Sequence, residues 1–257
     1  MRTILPIFII NFSASFSLPV HCEYLYGWGD ISINYYDWTK DTETRSYGFK
    51  NDYGFIEIEG GANFSWGEIY GLFDMELQEN VNEFGQKISG QSIGSTSKGN
   101  IAVKTGLGDL RYFSQTYSTE SLGYHFRDSV FGVSYLITDS NWSFAPFIGI
   151  HHVNTEDFAD FNGGMFGWVG YYNFELSDQS FSITHWFESE FSRSSEYLES
   201  NIASGTETDS LSANGAISLW WNATSNVSTG IQYYYAHNKL QQSKTDSAII
   251  YTIKYNF

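Results

Sequence analysis

In SAIIYTIKYNF, residues 247–257, Ile249, Tyr251, Ile253, Tyr255 and Phe257 recur at every second position, with Ile250, Thr252, Lys254 and Asn256 between them. Successive side chains of a strand point to opposite faces, so the segment has one apolar face and one more polar face. The same period of two returns along the chain between clusters of Gly, Asn, Asp and Ser. It marks about twelve candidate strands, near 30–38, 52–64, 67–77, 99–107, 110–118, 129–137, 142–153, 163–174, 180–192, 211–221, 226–236 and 248–257. After the first two dozen residues no apolar run approaches the ~20 residues of a membrane-spanning helix. If this chain crosses a membrane, it crosses as strands, and several segments are close to the ~9–11 residues a tilted transmembrane strand requires.

The connections narrow the fold class. Those near 65–67, 107–109, 138–141, 175–180 and 222–226 are short, whereas 39–51, 78–98, 119–128, 154–162, 193–210 and 237–247 are longer and polar. Short and long alternate throughout, which is the asymmetry of a barrel with short periplasmic turns at one rim and longer outer loops at the other. A soluble sandwich has no reason to sort its loops in this way. The sequence therefore predicts an all-β fold: a single transmembrane antiparallel up-and-down β-barrel of about twelve strands in a bacterial outer membrane, with both termini on the periplasmic side. Aromatics at 19% alongside charged residues at only 16% suit such a chain, with Trp221, Tyr233, Tyr235, Tyr251 and Tyr255 placed to form interfacial girdles. Most strands show clear faces. Phe131, Val133, Tyr135 and Ile137 alternate with Val130, Gly132 and Ser134, and Trp142, Phe144, Ile148 and Ile150 with Ser143, Ala145, Gly149 and His151. The phase is weak in 110–118, and both faces carry aromatics in 163–174.

The first 22 residues read as a secretory signal: Arg2, an apolar stretch from Ile4 to Phe12, and Val20 with Cys22 at the −3 and −1 positions of a cleavage before Glu23. Residues 23–257 are then the barrel. Lipidation of Cys22 is disfavoured by the preceding Pro19-Val20-His21. Cleavage after the chain's one cysteine would leave no disulfide, thiol catalyst or cysteine metal site. A formal net charge of −16 argues against a nucleic-acid partner, which calls for clustered Lys and Arg.

One segment is more specific. NDYGFIEIEGGANFSWGEIYGLFDMEL, residues 51–77, holds an N-D-Y start at Asn51, Asp52 and Tyr53, an E-x-E at Glu57 and Glu59, and a Y-G-x-x-D at Tyr70, Gly71 and Asp74. Asp160, Asn162 and Gly163 form a D-x-N-G strand start, and YTIKYNF closes the chain. In these motifs the sequence resembles the nucleoside-specific channel-forming outer-membrane family, which includes vibrio phage-receptor porins. It lacks that family's long L-S-F-G-P element. The resemblance implies a passive outer-membrane channel for small solutes, nucleosides favoured, and admits bacteriophage as a partner. The C-terminal Phe257 resembles the signal read by the barrel-assembly machinery.

Period two then assigns lumenal residues. With Ile56 and Ile58 toward lipid, Phe55, Glu57 and Glu59 face inward; with Ile69, Phe73 and Met75 outward, so do Tyr70, Asp74 and Glu76. In 180–192, Phe181, Ile183, Phe187 and Phe191 point out and Trp186, Glu188 and Glu190 in. Lys104, Arg111 and Lys254 are expected lumenal cations. A nucleoside needs aromatic faces for its base and charged or polar groups for its hydroxyls and base edges. Phe55, Tyr70 and Trp186 are assigned to stacking, and Glu57, Glu59, Asp74, Glu188, Lys104 and Lys254 to polar contacts. The bland alternative makes the same residues cross-barrel salt bridges in a hydrated lumen.

No catalytic residue, metal or cofactor is expected. His151 and His152, near Glu156, Asp157 and Asp160, are the one cluster comparable with rim sites of barrel enzymes, and no serine motif flanks it. The competing function is a surface-display, adhesion or phage-receptor barrel without an open pore.

Overall fold

The computed structural model describes residues 22–82, 86–121, 124–200 and 206–257; the expected signal peptide lies outside them except for Cys22. Thirteen strand segments and two short helices follow in order: β1 (Tyr24–Trp38), α1 (Lys40–Arg45), β2 (Tyr53–Phe64), β3 (Gly67–Val81), β4 (Lys87–Lys104), β5 (Leu110–Ser121), β6 (Tyr124–Tyr135), β7 (Ile137–Thr138), β8 (Trp142–Thr155), β9 (Ala159–Leu176), β10 (Gln179–Phe191), α2 (Ser195–Glu199), β11 (Ser212–Asn222), β12 (Val227–His237) and β13 (Asp246–Asn256). The two-residue β7 continues β6 beyond Leu136 and pairs with the same neighbour, β8, so the segments make twelve staves. Each stave pairs antiparallel with its sequence neighbours, and β1 pairs with β13 from Asp30↔Asn256 to Trp38↔Ala248. The ring is closed.

Side-chain parity runs around the whole ring. On β1, Ile31, Ile33 and Tyr35 are exposed on the outside while Asp30, Ser32, Asn34, Tyr36 and Trp38 are buried inside. On β13, Tyr251, Ile253 and Tyr255 are exposed and Ala248, Ile250 and Thr252 buried. Apolar side chains on the outer face meet hydrocarbon, where an unpaired backbone group would cost several kcal/mol, ~4–8 on a hydrocarbon-transfer scale. The inward residues form the core. Tyr36, Trp38, Phe55, Ala248 and Ile250 cluster with Tyr53 and Tyr234 in the outer half, and Val130, Phe147 and Met165 pack with Phe113.

Three expected loops prove to be strand. Residues expected as loop at 78–98 pair across a ribbon at Glu79↔Gln91 and Val81↔Lys87, β5 and β6 run on to Ser121 and from Tyr124, and β8 and β9 are separated only by 156–158. Between Glu79 and Gln91 the ribbon carries no apolar stripe on either face, so its ladder persists without alternation and its sequence reads as loop; near 126–128 and 155–162 the inward positions mix polar and apolar side chains, such as Phe126 with Asp128 and Phe158 with Asn162, and hide the period in the same way. Of the long connections that remain, 39–52 with α1, the described residues of 192–211 with α2, and 238–245 lie at one rim and cap it.

Ile33 is 72% exposed and flanked by Ile56 and Ile253 on the outer face. Ile33→Arg is expected to lower stability by about 2–4 kcal/mol, measured by reversible denaturant unfolding from lipid vesicles. An unchanged midpoint would place Ile33 outside the hydrocarbon.

Candidate functional site in the lumen

The lumen is layered along the barrel axis. Toward the short-turn rim lies a cavity of about 600 Å³ whose walls include Tyr171, Ser182, Thr184, Trp220, Asn222 and Lys254. Lys254 stands 4.3 Å over the Trp220 ring and 3.2 Å from Asp30 Oδ2.

Above this cavity is an acidic layer. Glu57 and Asp74 are cross-strand partners, and carboxylate oxygens of Asp30, Glu57 and Glu59 lie within 4.8 Å of one another. Tyr70 donates its hydroxyl to Glu59 at 2.7 Å, with its ring 6.1 Å from that of Trp28, and Ser32 donates to Glu57 at 3.3 Å. Among the described residues, four carboxyl groups thus face one lysine in this layer.

The outer half carries aromatics and paired charges. Tyr36 stacks on Tyr53 at 5.2 Å and meets Tyr234 edge-on at 5.7 Å, and Trp186 is 6.1 Å from Tyr234. Lys98 Nζ lies 5.4 Å over Trp186 and binds Glu188 at 2.6 Å, while Gln115 donates to the same carboxylate at 2.8 Å. Glu190 meets Lys239 at 2.6 Å and Arg193 at 3.0 Å, and Arg193 also binds Glu207.

Phe55, Glu57, Glu59, Tyr70, Asp74, Trp186, Glu188 and Lys254 therefore all project into the barrel, in two layers rather than one pocket. Lys104 stands apart. It ends β4 at the short-turn rim, exposed, donating to the Ser65 carbonyl at 3.1 Å, because the stave stops before its side chain can reach the lumen interior. Arg111 is buried and pairs with Glu68 at 2.8 Å.

The expected rim cluster dissolves. His151 is wholly buried inside the barrel, whereas Glu156, Asp157 and Asp160 are exposed at the rim and His152 packs edge-on against Phe161. Period two separates neighbours: His151 takes the lumen face and His152 the other.

Two motifs have structural explanations. Asp52 accepts the Trp38 N–H at 2.8 Å, closing the α1 connection, and Tyr53 supplies a ring to the aromatic cluster. At Asn162-Gly163 the β8–β9 register shifts; Gly163 has φ +77°, and an added Cβ would run into the carbonyls of Phe191 and Ser192. Buried Asn162 accepts the Ser194 N–H at 3.0 Å, tying this bulge to α2. Sequence reading passed over Asp30, Tyr36, Lys98, Trp220, Tyr234 and Lys239. Alternation in β1 could have placed the first two, but nothing local marks Lys98 as the partner of Glu188, 90 residues away.

A closed strand barrel with an aliphatic exterior and a charged, aromatic lumen is a channel-type barrel of the bacterial outer membrane. The chain belongs to the family of the nucleoside-specific channel-forming protein Tsx, whose sequence profile matches residues 33–257. It is a passive outer-membrane channel that favours nucleosides. Among solved structures it is similar to the outer membrane channel DcaP of Acinetobacter baumannii, at 9% identity and TM-score 0.41, over 90% of this chain and 96% of that one. Outer membrane phospholipase A from Escherichia coli is 7% identical at TM-score 0.40, over 91% of this chain and 98% of that one. These are distant likenesses in strand-barrel architecture alone.

Glu188→Gln would leave Lys98 without its closest counter-charge. The reversal potential in a potassium chloride gradient should shift toward chloride permeation. Unaltered ion selectivity would remove this pair from the conduction path.

Proposed function

We propose that a nucleoside crosses this lumen by moving between aromatic and charged stations, with Phe55 and Trp186 in the outer half and Tyr70 in the acidic layer as stacking faces. Glu57, Glu59, Asp74, Glu188 and Lys254 exchange hydrogen bonds with ribose hydroxyls and base edges, and Lys104 attracts electron-rich groups at the periplasmic mouth. The observation that carries this reading is Tyr70, whose hydroxyl bonds Glu59 at 2.7 Å beside the ring of Trp28. Base and sugar find their two kinds of partner within one step. Binding is weak by design, since a solute held tightly would not leave. The passage involves no bond making or breaking, so no catalytic role belongs to the barrel.

Loss of one stacking face costs about 1–3 kcal/mol, a factor of roughly 5 to 150 in occupancy. Thymidine and adenosine should reduce single-channel current more than glucose does at equal concentration, and Tyr70→Ala should weaken that block by such a factor. Equal block by all three solutes in the parent protein would overturn the assignment. A barrel that conducts no ions at all would favour the display reading.

The same proposal extends to two partners. Phe257, whose N–H bonds the Gly29 carbonyl at 3.0 Å, is the terminal aromatic presented to the barrel-assembly machinery, and the cap over the outer rim is the surface open to a bacteriophage. Replacing Tyr255 and Phe257 by Ser should abolish heat-modifiable, membrane-embedded protein; normal levels would remove the assembly role.

A further inference from the structure

The buried charges of the outer half pair off almost completely. Glu188 has Lys98 and Gln115, and Glu190 has Lys239 and Arg193. Glu207 has Arg193, the Tyr197 hydroxyl at 3.3 Å and the Gln241 N–H at 3.0 Å. Two side chains in this neighbourhood are left over. Asp128, 2% exposed, reaches no cation closer than Lys239 at 3.9 Å, and its Oδ1 has no hydrogen-bond partner among the described residues. His151, with no exposed surface, has no hydrogen-bond partner among the described residues for either ring nitrogen.

An orphaned buried imidazole is costly, because each unsatisfied buried polar group forfeits its hydration, about 1–3 kcal/mol. His151 on β8, Asp128 on the adjacent β6 and Glu190 on β10 converge from three staves, and one ligand atom from each lies within 4.8 Å of the others. We infer that Asp128, His151 and Glu190 form a binding site for a divalent metal ion of the zinc class, set in the lumen beneath the outer cap.

The donor set selects the metal. One imidazole nitrogen with two carboxylates suits zinc and its neighbours, whereas calcium and magnesium prefer oxygen alone. The other carboxylate group, Asp30, Glu57 and Glu59, is all oxygen, and its members are already engaged by Lys254, Ser32 and Tyr70. Lys239 is the internal competitor. Its ammonium holds Glu190 and approaches Asp128, so a metal ion must displace it. Lys239 lies just past the end of β12, in the 238–245 connection rather than on a stave, so its withdrawal breaks no strand pairing. The site is independent of which solute the channel carries.

The test uses the refolded or membrane-extracted barrel without a polyhistidine tag, titrated with zinc chloride by calorimetry. One zinc per chain is expected. His151→Asn should weaken binding by more than about tenfold, and His152→Asn and His125→Asn should leave it unchanged. Lys239→Met should tighten it by removing the competing ammonium, an effect a merely structural lysine would not have. Heat-modifiability on gels establishes that each variant is folded, and Asp128→Asn, which should also weaken binding, replaces His151→Asn if that variant fails. Zinc affinity unaffected by the folded His151 or Asp128 variant, or no saturable zinc binding in either the parent or Lys239→Met, would overturn the inference.

Discussion

Hydrocarbon offers no partner to a peptide group, so every N–H and C=O that a strand carries through the bilayer must find another strand. The pairing of β1 with β13 satisfies the two edges that would otherwise remain open. Every other feature depends on that closure. A closed ring gives each stave an inside and an outside, and the alternation of Ile31, Ile33 and Tyr35 with Asp30, Ser32 and Asn34 then sorts lipid from lumen. The terminal segment matters for the same reason: its apolar face is lipid surface and its backbone is the seam.

Inside the ring, charge is managed differently at the two levels. The outer half sets Glu188, Glu190 and Glu207 against Lys98, Lys239 and Arg193, each in direct contact. Removing one member of such a buried pair strands the other, which is the expensive event. The acidic layer below sets Asp30, Glu57, Glu59 and Asp74 against one cation among the described residues, Lys254, and shares protons and hydrogen bonds within the group. Aromatic rings lie beside both levels, with Trp186 under Lys98 and Trp220 under Lys254.

Legibility followed physical locality. Strand identity and facing were readable wherever one face met lipid, because that face had to be apolar. They were unreadable in the outer ribbon from Glu79 to Gln91, where neither face carries an apolar stripe and the ladder alone marks the strands, and in 119–128, where the inward positions Phe126 and Asp128 mix an apolar with a charged side chain. Lys104 satisfied the alternation yet missed the lumen, because parity says nothing about where a stave ends along the axis. His151 was read as a rim residue for the same reason: its depth follows from how far β8 runs before it turns at 156–158.

The sequence by itself determined that this chain is a twelve-stave membrane barrel, and which face of the clear strands looks inward, since pleat and hydrophobicity are properties of a residue and its immediate neighbours. It also carried its family likeness, through the motifs of 51–77 and the terminal strand. Only the tertiary structure decided which inward groups meet. Lys98 with Glu188, Lys254 with Asp30, and His151 with Asp128 and Glu190 come from staves far apart in the chain or across the lumen. Their proximity depends on the register of every intervening pair and on the curvature that closes the ring, and a shift of one residue in any of those pairs would turn the same side chains out into lipid.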